Sequence, residues 1–239
     1  MDSFVTPHVF RFVDRRVAGR ELARRVRPLV TARRGEDWIV LALPRGGVPV
    51  GFEVAKAIGA PLDVFVVRKL GVPQDEEVAM GAIASGGVRV LDHGTIALLD
   101  LSSTVVDSIT MRELAELRRR EELYRRGLPP LSIEGRCTIL VDDGVATGAT
   151  MQAAVESLRL REPARIVVAV PIGVFEVCES LRSLVDEVVC ARTPEPFLGV
   201  GRWYEDFRPV SDEEVVDLLE RARSGTPSQP VRSERIDVP

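Results

Sequence analysis

Apolar and polar positions fall in blocks along the chain, and the blocks have two different periods. Residues 14–33 place Val17, Leu22, Val26 and Leu29 or Val30 on one helical face, with Asp14 ahead of them as a cap. The other face is rich in arginine and reads either as a solvated surface or as a binding patch. Residues 38–43 form a continuous apolar run closed by Pro44-Arg45-Gly46-Gly47, and helical spacing returns over 48–58. A second apolar run covers 62–67 and stops at Arg68-Lys69-Leu70-Gly71. From 72 to about 100 the pattern weakens to glycines and charges around a short apolar run at 88–91. That pattern predicts a long excursion containing a hairpin, and long loops in compact domains are often functional. A charged helix is predicted over 105–126, stopped by Pro129-Pro130. A third strand at 138–141 ends in Asp142-Asp143-Gly144, and a helix follows over 150–160. A strand at 165–170, a helix at 174–184 and a strand at 187–190 continue the alternation. Ser211-Asp212-Glu213-Glu214 has the form of a capping box opening a last helix to about 222. The polar, Pro/Ser-rich tail from 224 onward is expected to be disordered.

Short apolar strands alternating with helices predict an α/β fold, a parallel sheet with helices on both faces. Such sheets bind ligands at the carboxyl ends of their strands. Three of the predicted strand ends carry unusual chemistry: Pro44-Arg45-Gly46-Gly47, Arg68-Lys69 and Asp142-Asp143. In a parallel sheet all three would meet at one edge.

Composition narrows the class further. The 239 residues suffice for one large α/β domain, or one domain plus a small appendage, and 45% hydrophobic with 28% charged residues excludes a mainly disordered chain. A net charge of −4 points to neither nucleic acid nor an anionic membrane. No stretch reaches the roughly 18 apolar residues of a membrane span. The longest candidate, 166–175, is interrupted by Pro171 and Gly173. The N-terminus lacks a basic start followed by an apolar segment, so no signal peptide is expected, and the predicted location is cytoplasmic. Three widely spaced cysteines (Cys137, Cys178, Cys190) and two histidines (His8, His93) suit neither a disulfide framework nor a zinc site. The cysteines are expected to be buried as small apolar residues.

The most informative string is the twelve residues from Ile139 to Thr150. An apolar strand runs into two adjacent acids, then a loop of small residues, then a helix N-terminus. Residues 146–150 (Ala146, Thr147, Gly148, Ala149, Thr150) offer backbone N–H groups with little side-chain obstruction, two hydroxyls and the positive end of a helix. That is a phosphate cradle. Two carboxylates just ahead of it suit a ligand that carries vicinal hydroxyls beside its phosphate, as a sugar phosphate does. A capped turn without a ligand is the plainer alternative. Other motifs of α/β proteins are missing: Gly46-Gly47-x-x-x-Gly51 has the wrong spacing for a dinucleotide loop, and neither a G-x-S-x-G elbow nor a Walker A string occurs.

The segment from Asp142 to Thr150 resembles the phosphoribosyl-pyrophosphate (PRPP) motif of type I phosphoribosyltransferases. Residues 43–51, Leu43-Pro44-Arg45-Gly46-Gly47-Val48-Pro49-Val50-Gly51, resemble the pyrophosphate loop of that family. Val66-Val67-Arg68-Lys69 is similar to the basic strand end before its flexible loop. The resemblance covers about residues 36–192, and the strings VDDGVATGAT and GRWYEDF resemble an uncharacterised bacterial branch of the family.

The resemblance implies a Rossmann-like phosphoribosyltransferase core with a small hood. One domain would span 1–223, with the core at 36–192 and the hood drawn from 1–13 and 193–210. It implies an enzyme moving the 5-phosphoribosyl group of PRPP to a nucleobase-like acceptor with release of pyrophosphate, as in nucleotide salvage. A non-catalytic PRPP or nucleotide sensor on the same fold is the alternative. Asp142 and Asp143 would meet the ribose hydroxyls, and residues 146–150 the 5′-phosphate. Arg45, Gly46 and Gly47 would meet the pyrophosphate, with Arg68 and Lys69 adding positive charge. The catalytic set would be Asp142, Asp143, Arg45 and Lys69. Mg²⁺ would be carried by PRPP, with no direct protein ligand. A non-proline cis peptide is expected at Arg45–Gly46 or Gly46–Gly47.

The family also implies a mobile cover, here residues 72–87 with Gly71, Gly81, Gly86 and Gly87 as hinges. An ordinary surface hairpin is the alternative, with Glu76 and Glu77 as solvated charges. Gly144 stands where the family more often has an aliphatic residue. Ala146 stands where 6-oxopurine enzymes carry an Asp, which disfavours a hypoxanthine or guanine acceptor. Residues 197–207 hold four of the twelve aromatics of the chain. Arg202, Trp203 and Tyr204 are the acceptor-binding candidates there, with Phe10 and Phe12 beside them; the alternative is that these aromatics close the core. A homodimer is expected because dimers are common in the family.

Overall fold

The computed structural model describes residues 10–73 and 75–225; the side chains of Glu76 and Glu77 and the predicted tail beyond 225 lie outside the described residues. The chain opens on α1 (Arg15–Ala32), where Asp14 Oδ1 accepts the Val17 amide at 2.7 Å, as its position predicts. Leu22, Val26 and Leu29 face inward, while Arg20, Arg24, Arg25 and Arg27 are exposed, so most of the basic face is solvated.

Five parallel strands make the main sheet: β1 (Trp38–Ala42), β2 (Leu62–Val64), β6 (Cys137–Val141), β7 (Arg165–Ile172) and β8 (Glu187–Arg192), in the order β2-β1-β6-β7-β8. Alternate residues face opposite sides, as the pleat requires. Val40, Ala42, Ile139 and Val141 belong to one apolar cluster with α1, α2 (Gly47–Ile58) and α7 (Asp212–Gly225). Ile39, Leu41, Leu140 and Val168 belong to the other, with α5 (Ala149–Arg159) and α6 (Phe175–Leu181). Helices therefore cover both faces of a wholly parallel sheet, as predicted.

The second apolar run is not one strand. It pairs with β1 only through Val64, and the Phe65 amide still reaches Ala42 O at 2.9 Å. At Val66 the partner changes: its amide donates to Ser85 Oγ at 2.9 Å, and its carbonyl accepts the Ser85 amide at 2.8 Å. The chain then enters a second, antiparallel sheet of β3 (Val67–Val72), β4 (Asp75–Ala84) and β5 (Val88–Leu91). The excursion after 72 is thus largely ordered, and α3 (His93–Leu98) and α4 (Ser103–Arg125) follow it. Arg68-Lys69 lies inside β3 rather than at the carboxyl end of a parallel strand. The three-way meeting of strand ends reduces to two.

Among the described residues no helix is long and apolar enough to cross a membrane.

Candidate active site

The strand order sets the place of the site. From β1 the sheet grows one way to β2; from β6 it grows the other way to β7 and β8. The carboxyl ends of β1 and β6 therefore flank the point where the strand order reverses, which opens a crevice in such sheets. Ala42 pairs with Val141, and the Leu43 amide donates to Val141 O at 2.9 Å. That register lays residues 44–47 beside Asp142 and Asp143.

The two segments touch through glycine. A Cβ on Gly46 would fall 2.1 Å from Asp143 Oδ2, and one on Gly47 would fall 2.7 Å from Val141 O. Any larger residue would push the loop off the acids. The Pro44–Arg45 peptide is cis, one bond before the two expected positions. Arg45 is half-exposed, with Nη1 3.7 Å from Asp212 Oδ1. Asp212 also accepts the Tyr124 hydroxyl at 2.8 Å, and burial followed by that bond pushes the Tyr124 phenol up to about 12.

Beyond the acids, residues 146–150 lead into the N-terminus of α5. Ala146, Thr147, Ala149 and Thr150 are exposed. Gly148 has φ +80°, and no side chain caps α5. The first amides of α5 therefore stand open to an anion.

The acids themselves are crowded. Asp142 Oδ1 accepts the Asp143 amide at 2.8 Å, and Arg15 Nε donates to Asp143 Oδ2 at 2.7 Å. Burial, then the neighbouring Asp143 charge, holds Asp142 well above the usual carboxylate range. Burial also raises Asp143, against the pull of Arg15. The Arg15 guanidinium lies 3.9 Å over the Phe207 ring, and its Nη1 donates to Arg208 O at 2.9 Å.

Other predicted site residues are placed differently. Arg68 grips Glu113 of α4, with Nε to Oε2 at 2.9 Å. Its charge is countered there, which corrects its expected place among the leaving-group cations. Lys69 is exposed and shares a cavity of about 450 Å³ with Ala149 and Thr150, between α5 and the second sheet. Tyr204 is only 3% exposed, packed with Phe12 and Phe207, and its hydroxyl donates to Asp143 O at 2.6 Å. It has no open face for an acceptor; it supports Asp143 instead. Trp203 and Arg202 are half-buried and exposed respectively, on a 3₁₀ turn (Val200–Trp203). A parallel bridge between Phe12 and Tyr204 joins the N-terminal segment to this turn.

Gly144 has its own explanation. A Cβ there would fall 2.5 Å from Val200 Cγ1 and 2.9 Å from Ile172 Cγ2. Val200 occupies the space an aliphatic side chain would need. Gly144→Ala should cost about 1–3 kcal/mol by overpacking, and Val200→Ala in the same chain should restore most of it. Urea unfolding of the single and double variants checks this, and a simple sum of two losses would contradict it.

The fold and site together define an open parallel α/β protein whose glycine loop, paired acids and α5 N-terminus meet at its strand-order switch. Residues 18–188 match the phosphoribosyl transferase domain family, and the chain belongs to that family. Proteins of two Mycobacterium tuberculosis strains, CDC 1551 and H37Rv, provisionally described as phosphoribosyl transferases, are each 44% identical over 236 residues. The match takes in 95% of this chain and 52% of theirs, so the chain spans about half the length of these curated relatives. The crystal structure of TT1426 from Thermus thermophilus is 43% identical, with a TM-score of 0.78 over 89% of this chain and 99% of that one.

Proposed function

We propose that the protein transfers the 5-phosphoribosyl group of PRPP to a nucleobase-like acceptor, with release of pyrophosphate. The observation that carries this reading is that Gly46 and Gly47 lie so close to Asp143 and Asp142 at the strand-order switch that a Cβ on either would collide with them. A sugar whose hydroxyls meet the acids then has its C1 substituent directed at the glycine loop. Arg15 takes one oxygen of Asp143, and the Asp143 amide takes one oxygen of Asp142. The other oxygen of each carboxylate is left for a ribose hydroxyl. The open amides of residues 146–150 receive the 5′-phosphate. Arg45 supplies charge to the leaving pyrophosphate, and Lys69 reaches it from the second sheet. That sheet, residues 67–91, is the cover that keeps water from the cationic sugar.

The donor set suits Mg²⁺ that arrives on the ligand, because one of the two carboxylates is already matched by an arginine. When bound, the ion adds positive charge to the pyrophosphate. The half-buried Trp203 and exposed Arg202 remain the acceptor candidates. One domain and a homodimer in the cytoplasm complete the proposal.

A thermal-shift titration with PRPP, with and without Mg²⁺, tests it. At a hundredfold excess over Kd, binding should add about 2.7 kcal/mol, a rise of several degrees. A Mg²⁺-dependent rise, followed by pyrophosphate release with one base in a screened set, is expected. A rise with a nucleoside monophosphate but none with millimolar PRPP would favour the sensor reading.

A further inference from the structure

Arg15 is the one arginine of α1 turned into the crevice. Its side chain is 11% exposed, while Arg20 and Arg25 on the same helix are half-exposed. Three contacts fix it: Nε on Asp143 Oδ2 at 2.7 Å, Nη1 on Arg208 O at 2.9 Å, and the guanidinium plane on Phe207 at 3.9 Å. A guanidinium is planar and stays charged, so this arrangement presents a permanent, oriented cation. Asp143 lies between that cation and Gly46, where no side chain can intervene. Its backbone is held as well, by the Tyr204 hydroxyl on its carbonyl at 2.6 Å.

Resting on the sugar-phosphate reading of the crevice, we propose that Arg15 is a positioning residue for the acidic pair. It holds Asp143 ionised and turned onto Gly46, so that Asp143 is the charged member of the pair when the sugar binds. The surroundings make this assignment specific. On the same loop, Asp142 forms no ion pair among the described residues and accepts a backbone amide instead, with Arg15 only the weakest influence on its charge. From the glycine loop, Arg45 is directed to Asp212. From the segment after Tyr204, Asp206 and Arg208 pair with each other at 2.6 Å. Arg15 is therefore the cation that sets the charge of Asp143. Burial works to protonate both acids, and removal of Arg15 takes away the strongest pull against that tendency at Asp143.

The test uses the whole chain labelled with ¹³C at aspartate carboxyls, followed by NMR over pH without ligand, with Asp142→Asn to assign the pair. In the wild type Asp143 should ionise at lower pH than Asp142; the reverse order overturns the proposal even if no Arg15 variant folds. In Arg15→Gln the ionisation of Asp143 should move upward by a pH unit or more, and Arg15→Lys should lie between. An unchanged titration in Arg15→Gln overturns the proposal. The second arm measures PRPP affinity of the same proteins from pH 6 to 9. Arg15→Gln should lose roughly tenfold per pH unit below its raised ionisation, relative to the wild type at each pH. Parallel pH profiles for the two proteins would overturn the role in binding. A wild type that ignores PRPP defeats the functional reading alone, because the carboxyl titration still judges Arg15.

Discussion

Asp63→Asn should be among the most destabilising single substitutions in this chain, at a cost of about 3–5 kcal/mol. Asp63 and Arg125 form an ion pair with both side chains 6% exposed. Arg125 Nε meets both carboxylate oxygens, at 3.0 and 3.1 Å. Its Nη2 donates to Val64 O at 2.9 Å, and its Nη1 to Glu121 at 2.8 Å. The Asp63 carboxylate also accepts the Val64 and Leu131 amides, at 2.8 and 3.1 Å. One carboxylate thus ties the end of β2 to the last turn of α4 and to the segment after it. The asparagine variant keeps the size but leaves a buried guanidinium short of its counter-charge, and breaking one side of a buried pair costs more than removing both. A chain of this length should lose on the order of 10 °C in Tm. Replacing both partners, Asp63→Leu with Arg125→Met, should cost clearly less than the sum of the single changes. Urea unfolding of the cycle measures the coupling, and a single-variant loss below 1 kcal/mol would contradict the argument.

Asp63 also shows where the hydrophobic pattern has limits. The alternation of strands and helices is legible, because buried parallel strands need unbroken apolar runs and their helices need a 3.6-residue face. Residues 62–67 look like one such run, and the single charge at Asp63 does not break it. A carboxylate in a buried strand must have a partner, so that position carries a usable signal. The change of sheet at Val66 carries none. Phe65 faces one cluster and Val66 the other, as in any uninterrupted strand, and apolarity does not say which neighbour takes the hydrogen bonds.

The candidate site divides the same way. Its glycine loop, acids and cradle are legible, since each is a short string whose chemistry is local. The long-range members are not. Arg15 is one of several arginines in a basic helix, and its partner lies 128 residues away. Nothing in its spacing separates it from its solvated neighbours except its place beside the Asp14 cap. Tyr204 stands in an aromatic cluster that suits two roles, and only its pairing with Phe12 takes it out of acceptor stacking. Arg68 has the look of a strand-end cation until Glu113, on the charged helix α4, is found to hold it.

The two adjacent acids should respond to the same substitution with opposite signs. Asp143→Asn removes the counter-charge of a mostly buried arginine and should cost about 3 kcal/mol, or roughly 6–12 °C in Tm. Asp142→Asn keeps an oxygen for the Asp143 amide and removes a carboxylate whose charged form is disfavoured by burial and by Asp143. It should raise Tm at neutral pH. The pH dependence follows from linkage. Asp142 binds its proton more tightly in the folded chain than in the unfolded one, so its contribution is favourable in acid and is lost as pH rises through the folded value. The gain from Asp142→Asn should therefore grow with pH over that interval and vanish well below it. Thermal melts of both variants from pH 4 to 8 decide the matter, and two shifts of the same sign would refute the division of roles. On the proposed function, both variants should also bind PRPP more weakly than the wild type. Asp142 would then be a group whose charge costs stability and is retained for the ligand, as expected where a binding site sets the residue rather than the fold.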